Sequence, residues 1–359
     1  MAQKITYTNE VAAAVSEAVA AIQPKQVFVL ADTNTEKIAR SIAGSLAIDG
    51  AKLIVIPAGD VNKNLESLSA VWQALTDARA TRHDLLINVG GGMVTDLGGF
   101  AAATYKRGMP FVNVPTTLLG AVDAAVGGKT GINFGGYKNQ VGAFAPAREV
   151  IISSVFFKSL PQTELLSGYA EMVKHGLLTS AAEFRRLAEL DILAADDETM
   201  LGLLRTSVQV KEGIVAQDPT EKGLRKALNL GHTVGHAFEE LAMERRRPVP
   251  HGYAVAWGLV AMAVLSKLTA GLDSETLNRL AAFVRANYNP ASVNGPALSV
   301  TCDDYPTLLS LMRSDKKNAD ADHITFTLLS APGHPLINQV VDAPTIQTAL
   351  DITRDLLGL

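Results

Sequence analysis

Five short apolar segments in the first half of the chain, separated by helical patterns, constrain the fold more than any other feature. They are Lys25–Asp32, Lys52–Pro57, Asp84–Val89, Pro110–Pro115 and Glu149–Phe156. Between them, segments such as Thr35–Ile48 and Leu65–Arg79 carry apolar residues at helical spacing. This alternation is typical of buried parallel strands joined by helices. It predicts a nucleotide-binding type of sheet, in which ligands bind at the carboxyl ends of the strands.

The second half has a different pattern. From about Pro161 onward, long segments rich in Leu, Ala and Glu follow a helical period, and only Ile324–Leu329 resembles a strand. We therefore predict an α/β Rossmann-like domain over residues 1–157, followed by a mainly helical domain over residues 158–359. Glycine-rich connections concentrate between Gly120 and Gly142, and we expect the functional site in the cleft between the two halves.

Composition excludes several classes of protein. The formal net charge of -4 disfavours a nucleic-acid partner, because phosphate-backbone binding requires a basic surface. The single cysteine, Cys302, excludes an intrachain disulfide and a cysteine-based metal cage, and fits a reducing cytoplasm. No basic segment followed by an apolar one starts the chain, and no uninterrupted apolar run reaches membrane-spanning length. We expect a cytoplasmic protein with no membrane partner.

The glycine triplet Gly90–Gly92 follows a predicted strand and precedes a helix candidate, Met93–Lys106. Bare backbone amides at a helix amino terminus can hold a pyrophosphate, although a tight turn without a ligand explains the triplet equally well. Asp96 and Asp123 flank this region, and either could contact a ligand or cap a helix.

Glycine-rich segments further on contain Lys129, Lys138 and Asn139. Such loops can bind oxyanions, and the alternative is a pair of ordinary surface lysines. Arg107, in Tyr105–Gly108, fits either an anion contact or a solvated helix end.

The histidines of the second half give the sharper signal. His232 and His236 are separated by four residues, so they share one face of a helix, and His251 follows shortly after. This spacing indicates a metal or phosphate site. Neutral imidazoles suit zinc, with a carboxylate as the third ligand, and Glu171 is the best candidate by context. His175, four residues after Glu171, stays open as an alternative ligand.

Basic and amide side chains surround these histidines in the sequence. Lys174 lies one helical turn from Glu171 and could contact a substrate or pair with that carboxylate. The others are Lys211, Arg225, Asn229, Lys316 and Lys317. So many donors near one metal indicate a small-molecule substrate with more than one negative group.

The ordered motifs resemble those of the 3-dehydroquinate synthases, members of the sugar-phosphate cyclase superfamily. They are GGGMVTDLGGF (90–100), YKRG (105–108), VPTTLLGAVDAAVGGKTGIN (114–133), KNQVGAF (138–144), SLPQTELLSGYAEMVKHG (159–176), EKGLRKALNLGHTVGHAFE (221–239) and HGYAVAWG (251–258). The similarity extends from Asp32 to Lys317. It implies a Rossmann-like NAD domain, a helical metal domain and a homodimer.

The resemblance also assigns residues. Zinc or cobalt would be held by Glu171, His232 and His251, leaving His236 to face the substrate phosphate. The implied NAD residues are Asp32, Asp60, Lys63, Gly90, Gly91, Gly92, Asp96, Thr116, Thr117, Asp123, Lys129, Lys138, Ser159 and Glu164. The implied substrate and catalytic residues are Lys129, Lys138, Asn139, Lys174, Lys211, Arg225, Asn229, His236 and Lys316 or Lys317, with Arg107 supplied across a subunit interface.

The implied reaction converts 3-deoxy-D-arabino-heptulosonate 7-phosphate to 3-dehydroquinate and phosphate in the shikimate pathway. It would proceed by alcohol oxidation with catalytic NAD, phosphate elimination, return of the hydride, ring opening and aldol closure. One departure from the family pattern is Asp60, where glutamate is usual, so its contact with the ribose stays open. Another is alanine at 124 and 125, where serine is common.

Two rival functions follow from the wider superfamily. A metal-dependent polyol dehydrogenase would need no anion pocket, and Lys129, Lys138, Arg225 and His236 argue against it. Another sugar-phosphate cyclase would act on a neutral sugar phosphate, and the residues assigned to the carboxylate end argue against that. These are Lys211 and Arg225, and Asn229 is retained as well.

Overall fold

A computed structural model describes residues 3–46, 50–292, 299–314 and 324–359. The chain forms two compact units, the first comprising Met1–Pro161 with Ala195–Glu212, and the second Gln162–Ala194 with Gly213–Leu359. The first unit thus takes in a segment beyond the sequence-predicted boundary at residue 157. Its contacts explain this placement: Ser154 Oγ donates to the Asp197 carbonyl, and the Arg205 guanidinium lies 5.1 Å from the centre of the Tyr7 ring.

The first unit contains a six-stranded parallel sheet, whose strands are β1 Lys4–Tyr7, β2 Val27–Asp32, β3 Lys52–Ile56, β4 Leu85–Gly90, β5 Phe111–Pro115 and β8 Glu149–Ile152. The strand order is β1-β8-β5-β4-β2-β3. The five strands predicted from apolar runs are therefore confirmed. The short β1 was missed because KITY offers too brief a pattern to separate from a loop.

Helices surround this sheet. They are α1 Val11–Ile22, α2 Glu36–Ser45, α3 Leu65–Asp77, α4 Gly92–Thr104 and α7 Asp197–Gln217, whose residues up to Glu212 belong to this unit. Apolar side chains of α1 and α2 form one core cluster with alternate residues of β2, β4 and β5. The predicted helices of the first half are confirmed, with ends shifted by a few residues, and residues 47 and 48 of the predicted Thr35–Ile48 segment lie outside the described residues.

A separate antiparallel hairpin, β6 Lys129–Phe134 and β7 Tyr137–Phe144, replaces the glycine-rich loops that we predicted here. Phe134 pairs with Tyr137 across Gly135 and Gly136, which have φ values of 62° and 87°. Two consecutive positive φ angles are what a two-residue hairpin turn requires, and glycine adopts them without strain. The prediction of loops was wrong because glycine and polar residues hide the strand pattern.

The second unit is mainly helical, as predicted. Its elements are α5 Gln162–Thr179, α6 Ala181–Glu189, α8 His232–Glu244, α9 His251–Thr269, α10 Ser274–Asn287, α11 Tyr305–Ser314, α12 Ala343–Leu357 and the antiparallel pair β9 Thr325–Ala331 and β10 His334–Val340. β9 confirms the predicted strand, and β10 was missed.

The central helix of this unit is α9. It is apolar and long enough to cross a membrane by composition, but 83% of that stretch is buried inside the protein. It contacts α5, α8, α10 and α12, so its apolar character is that of a core helix. Its first residue, His251, is thereby fixed against the helices that carry the other candidate metal ligands.

Candidate metal centre and ligand-binding residues

Helix α5 carries three buried polar side chains in its second half. Glu171 is 0% exposed, and Lys174 and His175 are each 1% exposed. Polar groups are buried this deeply only where partners or ligands compensate them. The Lys174 ammonium donates a short hydrogen bond to Glu171 Oε2, which confirms one of the two roles considered for Lys174.

Glu171 faces the histidines of α8 and α9. Its Oε1 lies 3.3 Å from His232 Nε2 and 3.7 Å from His251 Nε2. This oxygen is fully buried and has no hydrogen-bond partner among the described residues. A buried carboxylate oxygen without a partner, facing two imidazole nitrogens, is the arrangement expected around a cation.

The far sides of the two imidazoles are also fixed. His232 Nδ1 lies 3.1 Å from the Leu230 carbonyl oxygen, and His251 Nδ1 lies 3.1 Å from Glu239 Oε2. Oxygen acceptors at Nδ1 place the proton there and leave the Nε2 lone pairs for a metal. Sequence reasoning missed Glu239, although its spacing of seven residues after His232, on the same helix face, was a usable signal.

His236 lies in the same histidine cluster. One ligand atom each from His232, His236 and His251 can be chosen so that all lie within 4.8 Å of one another. The ring centres of His232 and His236 are 5.3 Å apart. His236 therefore lies in one cluster with both histidines that are proposed as metal ligands.

Charged neighbours in this cluster shift the pKa values of Glu171 and His251. Burial raises the pKa of Glu171, but the Lys174 ammonium and His232 outweigh burial and hold it well below its ordinary range. Burial lowers the pKa of His251, but the Glu239 and Glu171 carboxylates outweigh burial and raise it to about 10. The carboxylates thus favour positive charge at His251, whether a proton or a metal supplies it.

In the first unit, the ends of β2, β4 and β5 lie level in the sheet. Gly90 pairs with Pro115, and the Thr116 amide donates to the Gly90 carbonyl at 3.0 Å. A Cβ atom on Gly91 would lie 3.1 Å from the Thr117 side chain. Thr116 Oγ1 is buried and has no hydrogen-bond partner among the described residues. The α4 amino terminus and this hydroxyl suit an oxyanion.

Asp32 ends β2, where its Oδ1 accepts hydrogen bonds from the backbone amides of Asn34 and Thr35 at 3.0 and 2.9 Å. The side chain therefore caps the turn that precedes α2. The sequence analysis did not predict this capping role of Asp32.

Lys63, which the resemblance assigns to NAD, forms hydrogen bonds within the protein. It is 4% exposed, and its ammonium donates to Asp96 and, at 2.5 Å, to Asn139 Oδ1. Burial raises the pKa of Asp96 even though the Lys63 ammonium opposes that shift. Nearby, the half-exposed Asp60 carboxylate lies 3.3 Å from the Lys138 ammonium. Four residues expected at the NAD site are thus brought together.

A second ion pair joins an expected substrate residue to an expected NAD residue. The Lys211 ammonium donates to both the carboxylate and, at 2.5 Å, the carbonyl of Asp123. Both residues belong to the first unit. Asp123 lies in the π-helical turn Gly120–Ala124, directly after the threonines of the expected NAD site.

The remaining sequence assignments fall on several elements. Arg225 is buried and donates to the Pro219 carbonyl at 2.7 Å, and Asn229 donates to Glu221 at 3.0 Å. Lys129, Arg107, Ser159 and Glu164 are exposed, and Ser159 donates to the Phe156 carbonyl. Lys316 and Lys317 lie outside the described residues.

Solved structures share this fold. A 2-deoxy-scyllo-inosose synthase matches with a TM-score of 0.82 at 22% identity, covering 97% of this chain and 96% of that one. ValA, a 2-epi-5-epi-valiolone synthase from Streptomyces hygroscopicus with NAD+ and Zn2+ bound, matches with a TM-score of 0.81 at 24% identity, covering 99% and 97%. A maleylacetate reductase from Rhizobium matches less closely, with a TM-score of 0.68 at 17% identity over 99% and 97%. The fold is therefore that of sugar-phosphate cyclases and related reductases.

Sequence comparisons are more specific. The models for the 3-dehydroquinate synthase N-terminal and C-terminal regions match residues 53–167 and 168–318. The chain therefore belongs to the 3-dehydroquinate synthase family of phosphate-eliminating carbon–oxygen lyases. A 3-dehydroquinate synthase of Parabacteroides distasonis is 44% identical over 358 residues, 99% of each chain. One of Saccharophagus degradans is 36% identical over 92% of this chain and 90% of that one.

Proposed function

We propose that this chain converts 3-deoxy-D-arabino-heptulosonate 7-phosphate to 3-dehydroquinate and phosphate, using NAD and a divalent metal ion. The observation that carries the proposal is the buried Glu171 carboxylate facing the Nε2 atoms of His232 and His251, in a chain of this family. A net dehydrogenase would share the metal ligands but would not release phosphate.

The residues present fit a zinc or cobalt ion. Glu171 supplies an oxygen without a hydrogen-bond partner among the described residues. His232 and His251 supply their Nε2 nitrogens, and contacts at the opposite ring nitrogen, Nδ1, orient both imidazoles. Three protein ligands leave a coordination position for substrate. When bound, the metal would supply Lewis acidity to a substrate hydroxyl. Glu239 would keep the His251 ring oriented and its Nδ1 protonated.

NAD fits the first unit. The α4 amino terminus and Thr116 Oγ1 offer donors to a pyrophosphate, and Asp60 offers a carboxylate to a ribose. When bound, NAD would accept a hydride from the substrate and return it. In the same proposal the other NAD contacts are residues of the first unit, with Glu164 of the second unit: Asp32, Lys63, Asp96, Thr117, Asp123, Lys129, Lys138 and Ser159.

The basic side chains would bind the two anionic ends of the substrate. We assign Lys129, Asn139, Asn229 and His236 to the phosphate, and Arg225 and Lys211 to the carboxylate, by their matches to the family pattern. Charge-assisted hydrogen bonds of this kind orient a substrate and stabilise developing charge. Lys174, held against Glu171, would lie close enough to the metal ligands to contact the reacting hydroxyl.

We further propose a cytoplasmic homodimer in which Arg107 reaches the partner's substrate. Lys106 and Arg107 both adopt left-handed φ angles, 46° and 64°, and Arg107 is exposed. Long side chains rarely adopt this strained conformation, and it often marks a functional turn. Sedimentation of the purified protein tests the dimer, and a monomer active at all concentrations would exclude this role of Arg107.

The direct test of the proposed activity supplies the heptulosonate phosphate, zinc and NAD to the purified protein. Phosphate and 3-dehydroquinate should form in equal amounts. Parallel reactions with glucose 6-phosphate and with glycerol distinguish the rivals. Turnover of glucose 6-phosphate alone would favour another cyclase, and oxidation of glycerol with no phosphate release would favour a dehydrogenase.

A further inference from the structure

Asn133, near the end of β6, connects two segments that the proposed function assigns to different ligands. Its backbone amide donates to the Lys63 carbonyl at 2.7 Å. Its Nδ2 donates to the Asp60 carbonyl at 3.0 Å and to Asp60 Oδ2 at 3.3 Å. Its Oδ1 accepts a hydrogen bond from the Asn139 amide at 2.9 Å.

A local irregularity of the hairpin makes these contacts available. Ile132 pairs with Val141 and Phe134 pairs with Tyr137, so Asn133 alone stands opposite three residues of β7, and the bulge, which includes Asn139, lies on β7. The bulge disrupts the ladder at this point, and the Asn133 amide donates outside the hairpin. Here that amide and the side chain are both directed to the turn Asp60–Asn62 and to Lys63, its next residue.

The contact with Asn139 has a conformational consequence. Asn139 has a φ of 50°, in the left-handed region, which asparagine adopts more often than most other non-glycine residues. Asn133 Oδ1 binds its amide, and Lys63 Nζ binds its side-chain oxygen. Two hydrogen bonds from different segments therefore hold Asn139 in this conformation.

We propose that Asn133 is a positioning residue that holds the Asp60 turn and Asn139 in a fixed relation to each other. The inference rests on the proposed function, in which Asp60 contacts NAD and Asn139 contacts the substrate phosphate. Asn133 itself need touch neither ligand. Its loss should therefore weaken binding of both ligands through residues that remain present.

Two substitutions separate the side-chain hydrogen bond to Asp60 from the one to the Asn139 amide. Asn133→Asp keeps an acceptor for the Asn139 amide but removes the donor to Asp60 and adds a second carboxylate beside it. Asn133→Ala removes both side-chain hydrogen bonds. With each lost hydrogen bond equivalent to about 3- to 10-fold in a binding constant, Asn133→Asp should raise the Kd for NAD by that factor and change the substrate KM less than about twofold. Asn133→Ala should raise both by about 3- to 10-fold.

Asn62→Ala is the matched control. Asn62 donates to the Ala58 carbonyl at 2.7 Å within the same turn and has no assigned ligand contact. It tests whether loosening the turn alone explains any effect. NAD binding is measured by calorimetry and the substrate KM by phosphate release, with thermal unfolding of every variant alongside.

The expected result is a selective NAD defect in Asn133→Asp and a joint defect in Asn133→Ala, with Asn62→Ala near wild type. If the Kd for NAD and the substrate KM of both Asn133 variants lie within twofold of those of Asn62→Ala, the inference is overturned. If Asn133→Ala does not fold, the nearly isosteric Asn133→Asp variant still decides, since an unchanged Kd for NAD contradicts the proposal. A wild-type protein that lacks synthase activity would refute the proposed function, while the calorimetric comparison still tests Asn133.

Discussion

Substitution of Gly252 by alanine should disrupt the metal centre without removing any ligand. Gly252 follows His251 at the start of α9 and lies against Ser167 of α5, whose Oγ accepts its amide hydrogen at 2.9 Å. A Cβ atom at this position would lie 1.9 Å from the Ser167 carbonyl oxygen. Ordinary van der Waals contact begins at 3.4 Å, so the backbones must separate by about 1.5 Å, the difference between these two distances.

That separation occurs where the proposed ligands meet. Ser167 lies one helical turn before Glu171, whose Oε1 is 3.7 Å from His251 Nε2. Metal sites tolerate deviations of only about 0.2 Å in ligand distance, so a displacement several times larger should weaken binding at least as much as loss of an outer-shell contact, about 10- to 100-fold. Overpacking should also lower the free energy of unfolding by about 1–3 kcal/mol.

The assay is zinc content after dialysis, followed by competition with a chromogenic chelator. Gly213→Ala on α7 is the matched control, because a Cβ atom there meets nothing within 4 Å. It should keep wild-type zinc affinity and gain about 0.5–1 kcal/mol in stability from its helical site. Wild-type zinc affinity in a folded Gly252→Ala protein would refute the proposed link between this helix contact and the metal centre.

Three other sets of substitutions test the site. Alanine at any of the three proposed metal ligands should abolish zinc retention in dialysed protein, whereas His236→Ala should retain zinc and lose activity; a zinc-free His236→Ala protein would reverse that assignment. Lys129→Ala and Arg225→Ala should each reduce kcat/KM by about 10- to 100-fold, since each removes a charge-assisted contact of about 1.5–3 kcal/mol, while NAD still binds. Near-normal kinetics would remove that residue from the anion pocket. Because the folded pKa of Asp96 is raised above 3.8, its stabilising contribution is lost as pH rises through that raised value. Urea unfolding should show wild type losing stability relative to Asp96→Asn over this rise, and parallel pH profiles would contradict the shift.

The sequence predicted the sheet well because each buried parallel strand is a nearly continuous apolar run. It failed at the β6–β7 hairpin, where β7 is exposed along almost its whole length and so carries no apolar pattern. The placement of 195–212 with the first unit was also not predictable, because helical periodicity does not report which unit a helix face contacts.

The candidate site was predictable in outline for a different reason. Histidines four residues apart share a helix face, so the spacing of His232 and His236 was enough to predict that they lie together. Glu171 was a candidate by context and His251 by its position shortly after the histidine pair, but their approach depends on long-range helix packing, and only the resemblance assigned both as ligands. The seven-residue spacing of Glu239 after His232 was a signal that could have been used, whereas the role of Asn133 depends on individual hydrogen bonds that no spacing rule encodes.

The central claim is that hydride is taken from and returned to the same substrate within one active site. The most direct measurement supplies the protein with excess heptulosonate phosphate and a far smaller amount of NAD, and follows phosphate release together with the absorbance of NADH. We predict that phosphate release far exceeds the NAD supplied while no NADH accumulates. Reaction that stops after one equivalent of NAD, with matching formation of NADH, would contradict a synthase and identify a dehydrogenase.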